Sequence, residues 1–314
     1  MKTLNLVGLS MLVITTGCGL VIPQNDSSFE TPETIEASAT SETIETSATF
    51  ADWCLDPANL TPEARHTVEV LLATAETQDC QQAEARLANL NELALGGSQI
   101  ADVSPLASLT HVTALYLSSN QIVDVSPLAN LTHLSELDLS ENQIVDVSPL
   151  ASLTNLTWLY LANNQIADVS PLASLTNLNE LSLWENNRVV DISPLANLTN
   201  LTDLILFGNQ IADVSPLANL TNLTNLALNY NQIMDVAPLA NLTNLDALSL
   251  GDNQIVDVAP LASLTDLTSL GLENNQIVDV SPLASLTNLE NLYLFENPLR
   301  DRICPVQPAA ICQF

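Results

Sequence analysis

Lysine is nearly missing from this 314-residue sequence, which has six basic residues against 36 acidic ones. Lys2 is the one lysine, and the formal net charge is −30. Because such a surface repels phosphate backbones, the composition argues against nucleic acid as a partner. Two interpretations of the charge remain open. It keeps a long leucine-rich surface soluble, which we favour, or it attracts a dedicated cationic partner.

Residues that could carry chemistry are also scarce. The chain has three histidines, of which His66 stands alone and His111 and His133 share one position of the repeat described below. We find no serine elbow, no phosphate loop and no metal-spaced cluster, and there is no CxxC pair. The sequence therefore predicts a protein that is not an enzyme and needs no cofactor.

A 22-residue pattern fills most of the chain. Its cleanest copy, from Leu153 to Ser174, reads LTNLTWLYLANNQIADVSPLAS. No copy can bury its apolar side alone, so the pattern predicts stacked coils. The ten copies begin at Leu87, Leu109, Leu131, Leu153, Leu175, Leu198, Leu220, Leu242, Leu264 and Leu286.

Each copy predicts a strand, a turn and a short helical segment. Leu159 and Leu161 are two residues apart and point to one side of a strand, so Trp158 and Tyr160 point to the other. Asn164 ends the strand, where its side chain can bond backbone groups that turn inward. In Ser170-Pro171 a hydroxyl precedes a proline of fixed φ, which favours the start of one or two helical turns.

The string LxxLxLxxNxIxDVSPLAxLTxL resembles a leucine-rich repeat of the short, 22-residue type, similar to those of internalins and protein phosphatase regulatory subunits. The match covers roughly 220 residues. The resemblance implies an α/β fold: a right-handed solenoid with a parallel sheet on the concave face and short helical turns on the convex face. It also implies binding of macromolecules through the concave face, without catalysis.

The N-terminus has the features of a targeting segment. Lys2 precedes a mostly apolar run that is too short for a comfortable membrane span and ends at Gly17-Cys18. Residues ITTGC resemble a bacterial lipobox, which implies diacylation of Cys18, palmitate included, and a signal peptide of residues 1–17. The alternative is an ordinary secretion signal with an incidental cysteine.

The next segment, residues 18–49, is rich in Ser, Thr and Glu and cannot support a packed core. We interpret it as a disordered, lipid-anchored tether. The expected location is the exported side of a bacterial membrane, either periplasmic or at the cell surface, with the lipid as the one contact with the membrane.

Caps are expected at both ends of the array, which spans residues 87–297. Residues 50–86 predict a helical N-terminal cap, with one helix starting at Thr61-Pro62 and another from about Cys80 to Leu87 capped by Asp79. Residues 298–314 form the C-terminal cap. An even number of remaining cysteines in an exported chain argues for disulfides rather than metal binding, and the pairs within each cap are Cys54–Cys80 and Cys304–Cys312.

Aromatic residues make up 4% of the chain, yet most occupy outward positions of the predicted strands. Such a patch, bordered by acidic residues, is typical of a binding hot spot. The alternative is that aromatic pairs across strands merely stabilise the sheet. We expect Tyr293 and Phe295 to pack under the C-terminal cap instead. The candidate partner-binding residues are Tyr116, Glu136, Asp138, Trp158, Tyr160, Trp184, Asp203, Ile205, Phe207 and Tyr230.

Two further features recur or stand out in the array. One aspartate per coil, from Asp102 to Asp279, could gather calcium, but we favour bonds to backbone N–H groups of the following turn. The fifth copy is one residue longer than its neighbours, and its extra residue should bulge from the loop that contains Arg188. Arg188 is a candidate rim residue, and a tolerated surface insertion is the alternative.

The sequence thus predicts a non-catalytic protein-interaction module on the cell envelope that binds a protein partner through its concave face. The alternatives are a structural protein that associates with copies of itself, or a carbohydrate-binding surface protein.

Overall fold

A computed structural model of the chain describes residues 48–314. The predicted signal peptide, Cys18 and the tether up to residue 47 lie outside the described residues. In the part of the chain that is described, no helix is long and apolar enough to cross a membrane.

Three helices form the N-terminal cap: α1 (Phe50–Leu55), α2 (Pro62–Thr74) and α3 (Cys80–Leu87). The predicted starts of α2 and α3 are confirmed, because the side chains of Thr61 and Asp79 accept the N–H groups of Ala64 and Gln82. Helix α1 was not predicted. A disulfide between Cys54 and Cys80 joins it to α3.

The cap is attached to the first coil by polar contacts above a shared core. Leu71 and Leu87 are fully buried in the same apolar cluster as the leucines of the array. The Thr67 hydroxyl donates to the Asp102 carbonyl at 2.6 Å, and a ring nitrogen of His66 bonds the Ser98 carbonyl at 2.7 Å. The apolar end of the array is therefore covered on this side.

Eleven short strands form one parallel sheet in which every strand pairs with its neighbours in chain order. The strands are β1 (Glu92–Ala94), β2 (Ala114–Tyr116), β3 (Glu136–Asp138), β4 (Trp158–Tyr160), β5 (Glu180–Ser182), β6 (Asp203–Ile205), β7 (Asn225–Ala227), β8 (Ala247–Ser249), β9 (Ser269–Gly271), β10 (Asn291–Tyr293) and β11 (Cys312–Gln313).

Equivalent residues of successive coils lie side by side across the sheet. Leu137 pairs with Leu159, and Leu159 with Leu181. The inward leucines of every coil therefore stack into one continuous core, and Leu159 and Leu161 are both fully buried. The predicted fold, a right-handed solenoid with a parallel sheet and short helical turns, is confirmed.

An asparagine in nine of the ten coils satisfies the backbone where the chain leaves the strand, and eight of the nine are buried. The Asn164 amide donates to the carbonyls of Leu139 (2.9 Å) and Leu161 (3.2 Å), while its oxygen accepts the N–H of Ile144 at 2.9 Å. These bonds tie each coil to the one before it, and the predicted role of Asn164 is confirmed. The same position is occupied by Asn120, Asn142, Asn186, Asn209, Asn231, Asn253, Asn275 and Asn297.

The helical segments on the side opposite the sheet are 3-10 turns such as Ser170–Ser174. The predicted start of the helical segment at Ser170-Pro171 is confirmed, because Ser170 is its first residue and Pro171 follows. The carboxylate of Asp168 accepts the Ser170 N–H at 2.8 Å. All nine aspartates of this row make the equivalent bond, at 2.8 to 2.9 Å.

The longer fifth copy keeps its register with both neighbours. Asn186 fills the asparagine position, since its oxygen accepts the Ile166 N–H at 3.0 Å, and Val189 takes the next buried position. The added residue is absorbed between them, where Asn187 adopts a φ of 61° and Arg188 is exposed. Leu181 and Leu204 still pair across the sheet.

The C-terminal cap adds a strand that the repeat pattern did not predict. Strand β11 pairs with β10, and the Leu294 N–H donates to the Gln313 carbonyl at 2.7 Å. A disulfide between Cys304 and Cys312 closes the segment that leads into this strand. The last repeat therefore has a partner for part of its open edge.

Candidate functional site on the concave face

Strands β2 to β6 bring most of the candidate residues together on the outward side of the sheet. We call this side the concave face, and we use the name aromatic patch for Tyr116, Trp158, Tyr160, Trp184, Ile205 and Phe207. Each of these six side chains is half-buried. They stand on adjacent or next-adjacent strands roughly 4.8 Å apart, so the patch is continuous over five coils.

One half of the aromatic patch is a group of three rings. The ring centroids of Trp158 and Tyr160 are 3.9 Å apart, with the planes tilted by 36°. Tyr116 reaches across from β2 to meet Trp158 edge-on, with centroids 5.9 Å apart. Aromatic pairs of this kind contribute about 0.5–1.5 kcal/mol each beyond the area they bury.

Glutamates on the neighbouring strands hold the polar atoms of these rings. Glu180 Oε2 accepts both the Trp158 indole N–H (2.7 Å) and the Tyr160 hydroxyl (3.1 Å). The hydroxyl of Tyr116 donates in the same way to Glu136. Glu180 was absent from the predicted site. Its place on an outward strand position was the available signal, but a sequence does not show which ring a glutamate on the next strand will meet.

The other half of the patch lies just beyond β5 and β6. Trp184 and Phe207 stack with centroids 5.1 Å apart and planes within 15°. Between the two halves, Ser182 stands in register with Tyr160 on one side and Ile205 on the other. Ser182 is 1% exposed, and its hydroxyl has no hydrogen-bond partner among the described residues. The larger neighbours thus cover a polar group at the centre of the patch.

The remaining carboxylates of the site are also held by hydrogen bonds. Asp138 accepts the Ser140 N–H at 2.9 Å. Asp203 accepts the hydroxyl of Thr202 at 2.8 Å and the amide of Asn225 at 2.6 Å. No lysine or arginine lies on any of the eleven described strands. The face therefore presents fixed negative charge beside aromatic rings.

Burial and this negative environment raise the pKa values of Tyr160 and Tyr116. Burial, and then the charge of Glu180, raises the pKa of Tyr160 to about 12. Burial is also the largest cause for Tyr116, whose pKa is raised further by its bond to Glu136. Both phenols therefore stay protonated and remain hydrogen-bond donors at neutral pH.

Tyr230 and Arg188 lie outside the aromatic patch. Tyr230 occupies the corner after β7 with a φ of 55°, and burial and the nearby Asp252 raise its pKa. Arg188 is in the loop of the fifth coil described above. The roles of both residues in binding stay predictions.

At the C-terminal end of the concave face, one aromatic side chain is more exposed than predicted. Phe295 is 41% exposed, so the prediction that it packs under the C-terminal cap was wrong, while Tyr293 is half-buried. Strand β11 has two residues, opposite Leu292 and Tyr293, and stops short of Phe295. Nearby, the Glu273 side chain lies over Gly251 and Gly271, where side chains are absent.

The histidines and the aspartate row have structural partners. A ring nitrogen of His133 bonds the Thr110 carbonyl at 3.0 Å, as the amide of Asn155 bonds Thr132 one coil later at 2.8 Å. His133 is therefore a variant of the repeat, as predicted. Residues 48–314 contain no group of three or more His, Cys, Asp or Glu side chains placed to hold a metal ion.

Comparisons with known proteins agree with this architecture. A family model described as Leucine Rich repeats (2 copies) matches residues 110–152, 154–197, 199–241, 243–285 and 265–305. These segments cover more than half of the sequence, and the chain belongs to the leucine-rich repeat family. No curated protein matches the chain.

Among solved structures, an internalin (inlF) from Listeria monocytogenes is 36% identical, with a TM-score of 0.65; the match covers 75% of this chain and 76% of that one. Internalin C2 from the same species is also 36% identical, with a TM-score of 0.52, and the match covers 74% of this chain and 91% of that one. The ectodomain of the receptor kinase GASSHO1/SCHENGEN3 from Arabidopsis thaliana, solved in complex with CASPARIAN STRIP INTEGRITY FACTOR 2, is 30% identical over 66% of this chain and 27% of that one, with a TM-score of 0.60.

Proposed function

We propose that the protein is a non-catalytic interaction module that binds a protein partner through the aromatic patch of its concave face. The observation that carries the proposal is a set of half-exposed rings whose polar atoms are already bonded to Glu136 and Glu180. Rings held in this way lose little conformational freedom when a partner covers them. Tryptophan and tyrosine are also the residues most enriched in binding hot spots.

A partner of different sequence fits the patch better than a second copy of this chain. Glu136, Asp138, Glu180 and Asp203 lie in and around the patch, and the strands offer no cation to pair with them. Two such faces brought together would place like charges opposite each other, which costs free energy. The plant receptor ectodomain solved in complex with CASPARIAN STRIP INTEGRITY FACTOR 2 is a precedent for complex formation by a related fold.

Display on a bacterial envelope belongs to the same proposal and rests on the sequence of the first 49 residues. Diacylation of Cys18 would hold the solenoid on the exported side of a membrane, with residues 18–49 as a tether. Metabolic labelling with radioactive palmitate tests this point: the wild-type chain is expected to carry the label and Cys18→Ser to lose it. Equal labelling of both would contradict lipidation at Cys18.

The binding proposal is tested by capture from native envelope extract with the full chain as bait in detergent. Trp158→Ala combined with Phe207→Ala removes one ring from each half of the patch and is expected to abolish capture. The matched control is Tyr293→Ala with Phe295→Ala, two aromatics at the far end of the same face, which should capture as the wild type does.

Equal capture by wild type and by the patch variant would overturn the proposal. Capture of sugar-bearing material that free glycan displaces would favour carbohydrate recognition. Concentration-dependent mass in sedimentation of the purified chain, lost in the patch variant, would favour self-association.

A further inference from the structure

Trp158 stands between two glutamates on the concave face. Cross-strand pairing places Glu136 beside it on β3 and Glu180 beside it on β5. These three side chains, with Thr157 and Asn179, line an open depression of about 290 Å³. We call it the Glu–Trp–Glu depression. An aromatic ring and two carboxylates therefore border the same space.

Each glutamate keeps one oxygen available. The bonds from Tyr116, Trp158 and Tyr160 all go to the Oε2 atoms. The Oε1 atoms of Glu136 and Glu180 accept no hydrogen bond from any described residue, and neither is a buried atom without a partner. They remain available as hydrogen-bond acceptors for a ligand.

No described group neutralises this charge. The described basic residues are Arg65, Arg86, Arg188, Arg300 and Arg302, none of which lies on a strand. Tyr160 packs against the indole of Trp158 and so leaves only part of that ring to the depression. A ring quadrupole and two carboxylates all attract positive charge, so their effects add at this point.

We propose that the Glu–Trp–Glu depression receives an arginine or lysine side chain of the protein partner. The inference rests on the proposed function and names the chemistry of the residue that enters the aromatic patch. Arginine suits the geometry better, because its planar guanidinium can stack on an indole while it donates to carboxylates on either side.

The test measures the fluorescence of Trp158 in the full chain. The sequence has three tryptophans, so Trp53→Phe with Trp184→Phe leaves Trp158 as the single indole. The probes are N-acetyl-arginine amide, N-acetyl-lysine amide and N-acetyl-citrulline amide, the last being a neutral analogue of arginine of nearly the same shape. We expect the arginine probe to quench the fluorescence of Trp158 in a saturable way. The lysine probe should quench it more weakly, and the citrulline probe should not change it.

Two variants separate a local site from the overall charge of the protein. Glu136→Gln with Glu180→Gln keeps an acceptor for each ring donor and should weaken arginine binding at least ten-fold. Asp246→Asn with Glu290→Gln makes the same change in net charge at exposed residues next to β8 and β10, and should leave binding unchanged. Non-saturable quenching, an equal response to citrulline, or equal weakening in both variants would overturn the inference.

Capture from envelope extract then separates this inference from the proposed function. The Glu136/Glu180 variant is expected to lose capture while the Asp246/Glu290 variant retains it. If Trp158→Ala/Phe207→Ala loses capture but the Glu136/Glu180 variant keeps it, the proposed function stands and the cationic anchor is wrong. If neither loses capture, both fail.

Discussion

The indole N–H of Trp158 donates to the carboxylate of Glu180 on the next strand at 2.7 Å, and this bond fixes the orientation of one of the two indole rings in the patch. Tyr160 shares the same acceptor atom, so one glutamate holds two neighbouring rings. A hot spot normally loses side-chain freedom when it binds. In this face much of that ordering is complete before a partner arrives.

The raised pKa of Tyr160 predicts a loss of stability in alkali. The unfolded phenol ionises near its model value of 10.0 and the folded one at about 12. The contribution of the Tyr160 phenol to the free energy of unfolding is therefore fully present below pH 10 and is lost as the pH rises toward 12. We expect the melting temperature of Tyr160→Phe to fall less steeply than that of the wild type over this range. After allowance for solvent screening, the difference should be on the order of 1 kcal/mol.

The control for this prediction is to compare the melting temperatures of the wild type and Tyr160→Phe at pH 8, where the phenol of Tyr160 is protonated in both the folded and the unfolded chain. Glu180→Gln should shift the wild-type transition to lower pH, because it removes a charge that raises the Tyr160 pKa while burial remains. Identical alkaline profiles for the wild type and Tyr160→Phe would contradict the environment described for this ring.

Glu273 predicts the same direction of pH dependence as Tyr160, but near neutrality and not in alkali. Burial is the largest cause that raises its pKa, and its Oε2 is buried without a partner among the described residues. The stabilising protonated form is present below the unfolded pKa and is lost as the pH rises through the folded pKa, so the charged form weakens the fold at pH 7. Glu273→Gln should therefore stabilise the protein by on the order of 1 kcal/mol at pH 7. The gain should shrink below pH 4. Urea unfolding at both pH values measures it, and a variant less stable than wild type at pH 7 would contradict the argument.

The row of buried asparagines predicts that truncating one of these side chains strongly lowers the free energy of unfolding. Asn164→Ala leaves the carbonyls of Leu139 and Leu161 and the N–H of Ile144 without their partner. Each buried unpaired group costs about 1–3 kcal/mol, so the variant should lose about 3 kcal/mol or more. The exposed neighbour Gln165→Ala is the control and should change stability by less than about 0.5 kcal/mol. Similar urea midpoints for the two variants would show that the row is not needed for coil stacking.

Removing each of the two disulfides should lower the free energy of unfolding by a different amount. Cys54 and Cys80 are 26 residues apart, and Cys304 and Cys312 are eight apart. In the chain-entropy model these closures contribute about 3.5 and 2.5 kcal/mol respectively. Replacing both cysteines of a pair by alanine and measuring urea unfolding tests the order. A larger loss for the C-terminal pair would mean that local packing, and not loop closure, dominates.

Periodicity was sufficient to predict the solenoid but not the details of its ends or its surface. Leu159 and Asn164 recur at a fixed spacing, and each position has one physical role, so their burial and bonding could be predicted. Helix α1 is six residues long and follows a Ser/Thr-rich stretch, and β11 has two residues, so neither produces a detectable pattern. The partnership of Glu180 with Trp158 depends on side-chain orientation across two strands, which no repeat specifies.

The claim that a partner sits on the aromatic patch is tested most directly by crosslinking in the cells that produce the protein. Benzoylphenylalanine would replace Ile205, on strand β6 of the patch, or Thr176, an exposed residue near a 3-10 turn on the opposite side. The account predicts a discrete adduct from position 205 on irradiation, none from position 176, and loss of the first adduct when Trp158→Ala is added. Equal adducts from both positions, or none from position 205 with a stable protein, would contradict the assignment of the concave face as the binding site.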